Sequence, residues 1–476
     1  MKKQELLNNT LTIALGMIFS QLMSFLLLPI YTIFLSPSDY GLVDLIINYS
    51  ALLFPIITIQ LEMASFRFLV DARSNEYEKK KIISNVIQLL MVTLFICTTL
   101  YLIINRYIHV KYEYTTLLYV CASAIFYLFL QFARGIGKGR KFTIAYIVVG
   151  IVSLITTLVL VAYMRLGAQG MLTSLLIANL AGVIYLFFSL KLYNYISLGN
   201  RDNNLKKKLV KYSFPLIPDR VSWWVINLSD RTIVSIAISV AANGIYAVAN
   251  KYAAIFTSIF NIFGLSWTES ASIYIDDKNR DKFFSETINA SLRLFSGLGL
   301  VLIAGIPIVF NVLIDSKYKD AYQYIPILIS AALFSALGGL YGAIYIAKKK
   351  TKQIALTSII AATINIVLNL VFIKSIGIYA AAMSTAAAYL TMAIYRHYDV
   401  KKYVRITYER WIFVKIAVLY LFTVALYHYN NAIGNIANLL IIIVVVIILN
   451  KSVIMVIKDK ILDFSGRRRS KPTIEQ

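Results

Sequence analysis

Fourteen long apolar runs decide what this chain can fold into. They lie near residues 11–35, 41–66, 82–104, 114–133, 143–163, 169–190, 212–240, 243–268, 286–314, 321–347, 353–373, 377–395, 411–428 and 435–457. Each is long enough, at about 1.5 Å per helical residue, to cross a hydrocarbon layer roughly 30 Å thick. None shows the ten-residue alternation of a membrane barrel. Within lipid every backbone amide must be satisfied inside its own segment, so the runs predict an all-α integral membrane protein whose core is the bundle itself. Hydrophobic residues form 59% of the 476-residue chain, which removes the several soluble domains its length alone suggests. The first run follows Lys2 and Lys3, is too long for the apolar part of a signal peptide and has no small-residue cleavage site, so it reads as an uncleaved span.

The formal net charge of +24 is unevenly placed. Even-numbered connections and the two termini carry 36 of the 47 lysines and arginines, whereas odd-numbered connections hold only Arg106, Lys111, Arg165, Lys317, Lys319 and Lys374. Basic residues accumulate on the cytoplasmic side of membrane proteins, so both termini are expected there, in a bacterial cytoplasmic membrane. Topology thus accounts for the charge, and nucleic acid is not an expected partner. Runs such as Lys79–Lys81 and Arg467–Arg469 also suit anionic membrane lipids. Cys97 and Cys121 are the only cysteines, each near the outer end of a run, and imply neither a disulfide framework nor a metal site.

The longest connection, Lys191 to Lys211, follows six runs and divides the chain. "LGAQGM" from Leu166 matches "IGIYAA" from Ile376, and "DYGLVDLIINYSA" from Asp39 matches "NGIYAVANKYA" from Asn243 through Gly41/Gly244 and Tyr49/Tyr252. The basic loops Arg134–Lys141 and Lys348–Lys352 correspond as well. Two same-orientation six-helix lobes are therefore expected around a central cavity, with the last two helices added outside the repeat. The expected organisation is an N-lobe at 1–198, a cytoplasmic linker at 199–211, a C-lobe at 212–400, and helices 13 and 14 with a basic tail at 401–476.

Catalytic motifs are missing from this plan. There is no G-x-x-x-x-G-K-[ST] and no H-E-x-x-H. The glycines of "RGIGKGR" (Gly135, Gly137, Gly139) follow a membrane run rather than a strand, so they read as a flexible positive loop. His109, His397 and His428 stand singly near span ends. Outward connections are too short for a catalytic domain, so no enzyme activity, cofactor or metal is expected.

The chemistry lies in charges placed at membrane depth. Arg220, Arg231, Lys251, Arg293 and Lys415 fall inside runs, at an insertion cost of roughly 2.5–3.5 kcal/mol each. Lys415 is close enough to its helix end to snorkel. Arg220, Trp224, Asn227 and Arg231 follow at helical spacing and share one face. Asn250, Ala254, Thr257, Asn261 and Thr268 form a polar stripe beside Lys251. Asp44, Asn48, Pro55, Thr58 and Glu62 form the corresponding stripe in the second run, with Arg67 at its cytoplasmic end. Two uses stand open: acids such as Asp219 and Asp230 staple helices, the latter to Lys251, or the basic groups line a wet cleft that binds an anion. Candidate substrate contacts are Arg220, Lys251, Arg231, Arg293, Asn48, Asn250 and Arg67. Pro29, Pro55, Pro215, Pro218, Pro307 and Pro326 favour kinks within or at the edges of runs.

"LPIYTIFLSPSDYGLVDL" (Leu28–Leu45) and "YSFPLIPDRVSWWVINLSDRTIVSIAISVAANGIYAVANKYA" (Tyr212–Ala253), with the fourteen spans and the six-plus-six repeat, resemble the Wzx-type polysaccharide-unit flippases. These belong to the multidrug/oligosaccharidyl-lipid/polysaccharide (MOP) exporter superfamily. The resemblance covers essentially the whole chain. It implies a carrier that moves undecaprenyl-pyrophosphate-linked oligosaccharides across the membrane for capsule, exopolysaccharide or O-antigen assembly, alongside glycosyltransferases and a polysaccharide polymerase. It further implies coupling to an ion gradient or the membrane potential, for which Asp44, Glu62, Asp219 and Asp230 are the candidates. The alternatives are a multidrug cation antiporter or a lipid II flippase on the same fold, or, in another class, a polysaccharide polymerase.

Overall fold

The computed structural model describes residues 15–16, 18–108, 111–197, 199, 201–451 and 455. Lys2, Lys3, His109 and the basic tail beyond Met455 lie outside the described residues, as do the side chains of Asp219 and Asn227. The described chain holds sixteen α-helices and no strand. They are α1 (Leu28–Phe34), α2 (Pro37–Ile57), α3 (Leu61–Asp71), α4 (Glu76–Ile108), α5 (Glu113–Gly135), α6 (Gly139–Thr157), α7 (Gly167–Ser189) and α8 (Asn203–Ser213). The series continues with α9 (Ile217–Ala237), α10 (Val240–Tyr274), α11 (Arg280–Leu313), α12 (Ile325–Ala347), α13 (Thr351–Ile376), α14 (Ile378–Asp399), α15 (Ile412–Tyr429) and α16 (Ala432–Leu449).

Eleven of the described helices are long and apolar enough to cross a membrane. The three expected spans outside that set are informative. The first is a shorter apolar stretch, Ile18–Phe34. The other two are α9 and α10, which are long enough but carry the charged and amide side chains of the candidate site. These side chains lower the mean hydropathy of both helices.

The second expected span is broken. Ser36 caps α2 by accepting from the Asp39 amide at 3.1 Å, with Pro37 at the first helical turn, and the helix ends at Ile57 after Pro55. Ile59 and Gln60 then both adopt left-handed backbone, with φ of 51° and 55°, before α3 begins. Such a conformation costs a non-glycine residue about 1–2 kcal/mol. The Thr58 hydroxyl bridges the break, donating to the Phe54 carbonyl at 2.9 Å and accepting from the Gln60 amide at 3.2 Å. Gln60 and Glu62 are left buried beside it, and Pro55 was the only sequence sign.

The stretch expected as a linker is also helical. Asp202 caps α8 by accepting from the Leu205 amide at 2.9 Å. Leu209 is buried in the core with Leu205 packed against it, while Lys207, Lys208 and Lys211 face outward.

The chain forms two compact units, cut at different places from the sequence repeat. The first comprises Met1–Lys251, Ile314–Ala321 and Asn365–Ala381; the second comprises Tyr252–Leu313, Tyr322–Ile364 and Ala382–Gln476. The first has its main core among α3 to α8, around Leu69, Ile83, Phe126, Phe132 and Leu186. The second buries Trp267, Phe284, Ile288, Tyr341 and Tyr345 together with Val400 and Ile412.

Candidate functional site

In the first unit, α2 and the start of α10 meet through glycine. A Cβ on Gly41 would run into the Val240 carbonyl oxygen, and one on Gly244 into that of Pro37. The two glycines matched as repeat equivalents are therefore contact partners, and their small size lets the backbones approach closely.

That approach assembles a polar cluster. Asp44, 7% exposed, is paired with Arg231 of α9. It also accepts from Asn48 Nδ2 at 3.0 Å and from Asn243 Nδ2 at 3.2 Å. Trp224 donates its indole N–H to the Asn48 carbonyl at 2.7 Å, and its ring stacks on Tyr49. The shared face of Trp224 and Arg231 thus points at α2. Charge-assisted bonds of this kind are the strong ones, and together they offset the cost of holding two ions away from water.

Lys251 differs from Arg231. Its ammonium donates to Ser24 Oγ at 2.9 Å and makes no salt bridge among the described residues. It lies close enough to Asp44 and Arg231 to interact with both charges. Two cations thus face Asp44. The expected staple between Asp230 and Lys251 does not form. Asp230, 5% exposed, instead accepts from Tyr246 Oη at 3.2 Å and from Asn369 Nδ2 at 3.0 Å.

The remaining candidates are dispersed. Arg220 is exposed and in electrostatic reach of Glu62, whose Oε2 is buried without a hydrogen-bond partner. Asn250 donates to the Tyr246 carbonyl at 3.1 Å, an ordinary turn-back bond on its own helix. Arg67 pairs with Asp71 at the surface. Arg293, in the second unit, pairs with Glu409, and its backbone carbonyl accepts from Asn450. Among the described residues no group of His, Cys, Asp and Glu is arranged to hold a metal ion.

Four participants escaped the sequence reading: Ser24, Asn243, Tyr246 and Asn369. Asn243 and Tyr246 sit inside the repeat match, and their helical spacing from Asn250 was the available signal. Ser24 had none. Arg396, counted as a loop residue, is instead buried at 5% exposure among α12, α13 and α14.

A family model described as polysaccharide biosynthesis protein matches residues 6–268, more than half of the chain and all of the cluster just described except Asn369. The chain belongs to the polysaccharide biosynthesis protein family. Its fold is that of the MOP exporters. A multidrug resistance MATE family transporter of the MOP superfamily, solved in an inward-facing conformation, matches with a TM-score of 0.66 and 10% identity over 85% of this chain and 95% of its own. The lipid II flippase MurJ in an inward closed conformation matches with a TM-score of 0.66 and 16% identity over 94% and 99%. A Vibrio cholerae MATE transporter matches with a TM-score of 0.57 and 12% identity over 86% and 98%. No curated protein matches the chain. Arg293 and Arg396 fall outside the region that the family model matches, whereas Asp44, Arg231 and Lys251 fall inside it.

Proposed function

We propose that this family member is a flippase that carries undecaprenyl-pyrophosphate-linked oligosaccharide repeat units across the bacterial cytoplasmic membrane by alternating access, with both termini in the cytoplasm. The observation that carries this reading is the uncompensated charge at Lys251. Its ammonium lies at membrane depth, where burial is expensive, yet it bonds to one hydroxyl and leaves two N–H donors for another acceptor. A pyrophosphate is the anion that needs such a partner, because it cannot enter hydrocarbon with its hydration shell.

In this mechanism Lys251, with the exposed Arg220, replaces water around the pyrophosphate by charge-assisted bonds. Arg231, locked to Asp44, adds field rather than direct contact. The polyprenyl tail stays in the bilayer, and the sugar passes through the wet interior. Coupling to an ion gradient would act through a carboxylate, for which Asp44 and Asp230 lie in the cluster. No bond is made or broken, so the reading is of a carrier that receives its cargo from glycosyltransferases and delivers it to a polymerase.

A multidrug antiporter reading is disfavoured by Lys251, since a cationic drug gains nothing from an ammonium with donors to spare. Lipid II carries the same pyrophosphate, so only the cargo separates that reading. Lys251→Ala and Arg220→Ala are expected to abolish surface polysaccharide at unchanged protein level in the membrane. Normal polymer in both variants would overturn the assignment. Loss of viability on deletion, with glycan intact, would favour lipid II instead.

A further inference from the structure

Away from the cluster, helix ends of the first unit enclose a pocket of about 470 Å³ lined by Lys80, Lys138, Lys141 and Lys191, with Glu76 as its one acid. On the expected topology this is the cytoplasmic face. Topological lysines ordinarily point apart into water, where repulsion is screened. These converge.

Several details hold them there. Lys141 donates to the backbone carbonyl of Ser189 at the C-terminus of α7 and lies within the field of both Lys138 and Lys191. Lys191 is held at the rim in left-handed backbone, φ 54°, which a residue with a side chain rarely adopts. Glu76 offsets only part of the group's charge: it lies within the field of Lys138, but its carboxylate is also engaged by the Lys79 ammonium and by the Tyr195 hydroxyl at 2.8 Å. Ser189 lines the same pocket, and its Oγ lies buried without a hydrogen-bond partner. A convergent set of ammonium groups and an unused hydroxyl is the donor set of an oxyanion site.

We propose that this pocket binds a phosphate ester, the chemistry shared by an anionic lipid headgroup and a soluble phosphate, with Lys138, Lys141, Lys191 and Ser189 Oγ as its donors. The volume exceeds what one phosphoryl group needs and leaves room for its ester substituent. Lys138 and Lys191 are exposed, so their loss tests binding without disturbing the core.

The experiment uses the full-length protein in detergent. Short-chain phosphatidylglycerol, phosphatidylcholine of the same chain length and inorganic phosphate are each titrated by calorimetry. The variants are Lys138→Gln with Lys191→Gln and, as a control elsewhere on the surface, Lys349→Gln with Lys350→Gln. Phosphatidylglycerol is expected to bind the unaltered protein and to lose about tenfold in affinity in the first variant but not in the control. Competition by inorganic phosphate alone would identify a soluble phosphate as sufficient; binding of phosphatidylglycerol without such competition would identify the lipid headgroup. Equal binding of both lipids, equal loss in both variants, or no binding of either anion overturns the proposal.

Discussion

Arg231, largely shielded, and Arg396, buried, are held in opposite ways. In the first unit Arg231 faces the carboxylate of Asp44, and the nearby Lys251 bonds to Ser24. In the second unit Arg396 meets no carboxylate among the described residues. It donates to Thr357 Oγ1 and the Gly338 carbonyl at 2.9 Å each, to Ser358 Oγ at 3.2 Å and to the Ile354 carbonyl at 3.4 Å. Gly342 lets it approach, for a Cβ there would stand 3.1 Å from Nη1. Four of its five N–H donors are thus used by neutral acceptors from two neighbouring helices. The comparison separates depth from availability. A buried cation with its donors spent is a tie between helices, whereas one with donors left over can take an anion. Arg293 pairs with Glu409, whereas Lys251 meets no acid in a salt bridge among the described residues.

Breaking the Asp44–Arg231 pair from one side gives the largest expected effect. Arg231→Ala takes away the salt-bridge partner of a buried carboxylate, at a cost of about 3–5 kcal/mol. The thermal unfolding midpoint in detergent should fall accordingly, and Asp44→Asn combined with Arg231→Gln should recover much of the loss. A double variant as unstable as the single would mean that the pair is not the unit of stability. Arg396→Lys sharpens the other half of the comparison. One ammonium cannot satisfy acceptors spread over two helices, so a cost of about 2 kcal/mol is expected, with transport per folded molecule unchanged. Reduced transport at full stability would show that Arg396 does more than tie helices.

The smallest effect is at the surface of the second unit. Lys348, 2.6 Å away, holds the Asp276 carboxyl below its ordinary range. Its folded value is the lower one, so the stabilisation is fully present above the unfolded value near pH 4 and disappears as pH falls through the folded value. Unaltered protein and Asp276→Asn should differ slightly at neutral pH and converge below about pH 4. A difference that persists in acid would point to packing rather than charge.

Much of this was legible in the sequence. Apolar run length dictated an all-α membrane fold, because lipid offers a backbone amide no other partner. Helical spacing put Trp224 and Arg231 on one face, and the repeat singled out Gly41 and Gly244. Less visible was the break after Ile57, where Thr58 replaces missing backbone bonds and two residues without glycine's freedom turn left-handed. A window of hydropathy averages over such a break. Arg396 was misplaced for a related reason, since a residue four positions from a helix end reads as loop when only apolarity is counted.

The sequence by itself determined the class of fold, the depth of its charges and the family to which they belong, since each follows from local composition and spacing. Partner choice was decided only in three dimensions. Asp44 and Arg231 stand 187 residues apart, Lys251 and Ser24 stand 227 apart, and no local pattern encodes which buried cation meets an acid and which is left with donors to spare. A salt bridge needs its two groups within about 4 Å, so the packing of α2 against α9 and α10 decides which charges meet an acid and which do not.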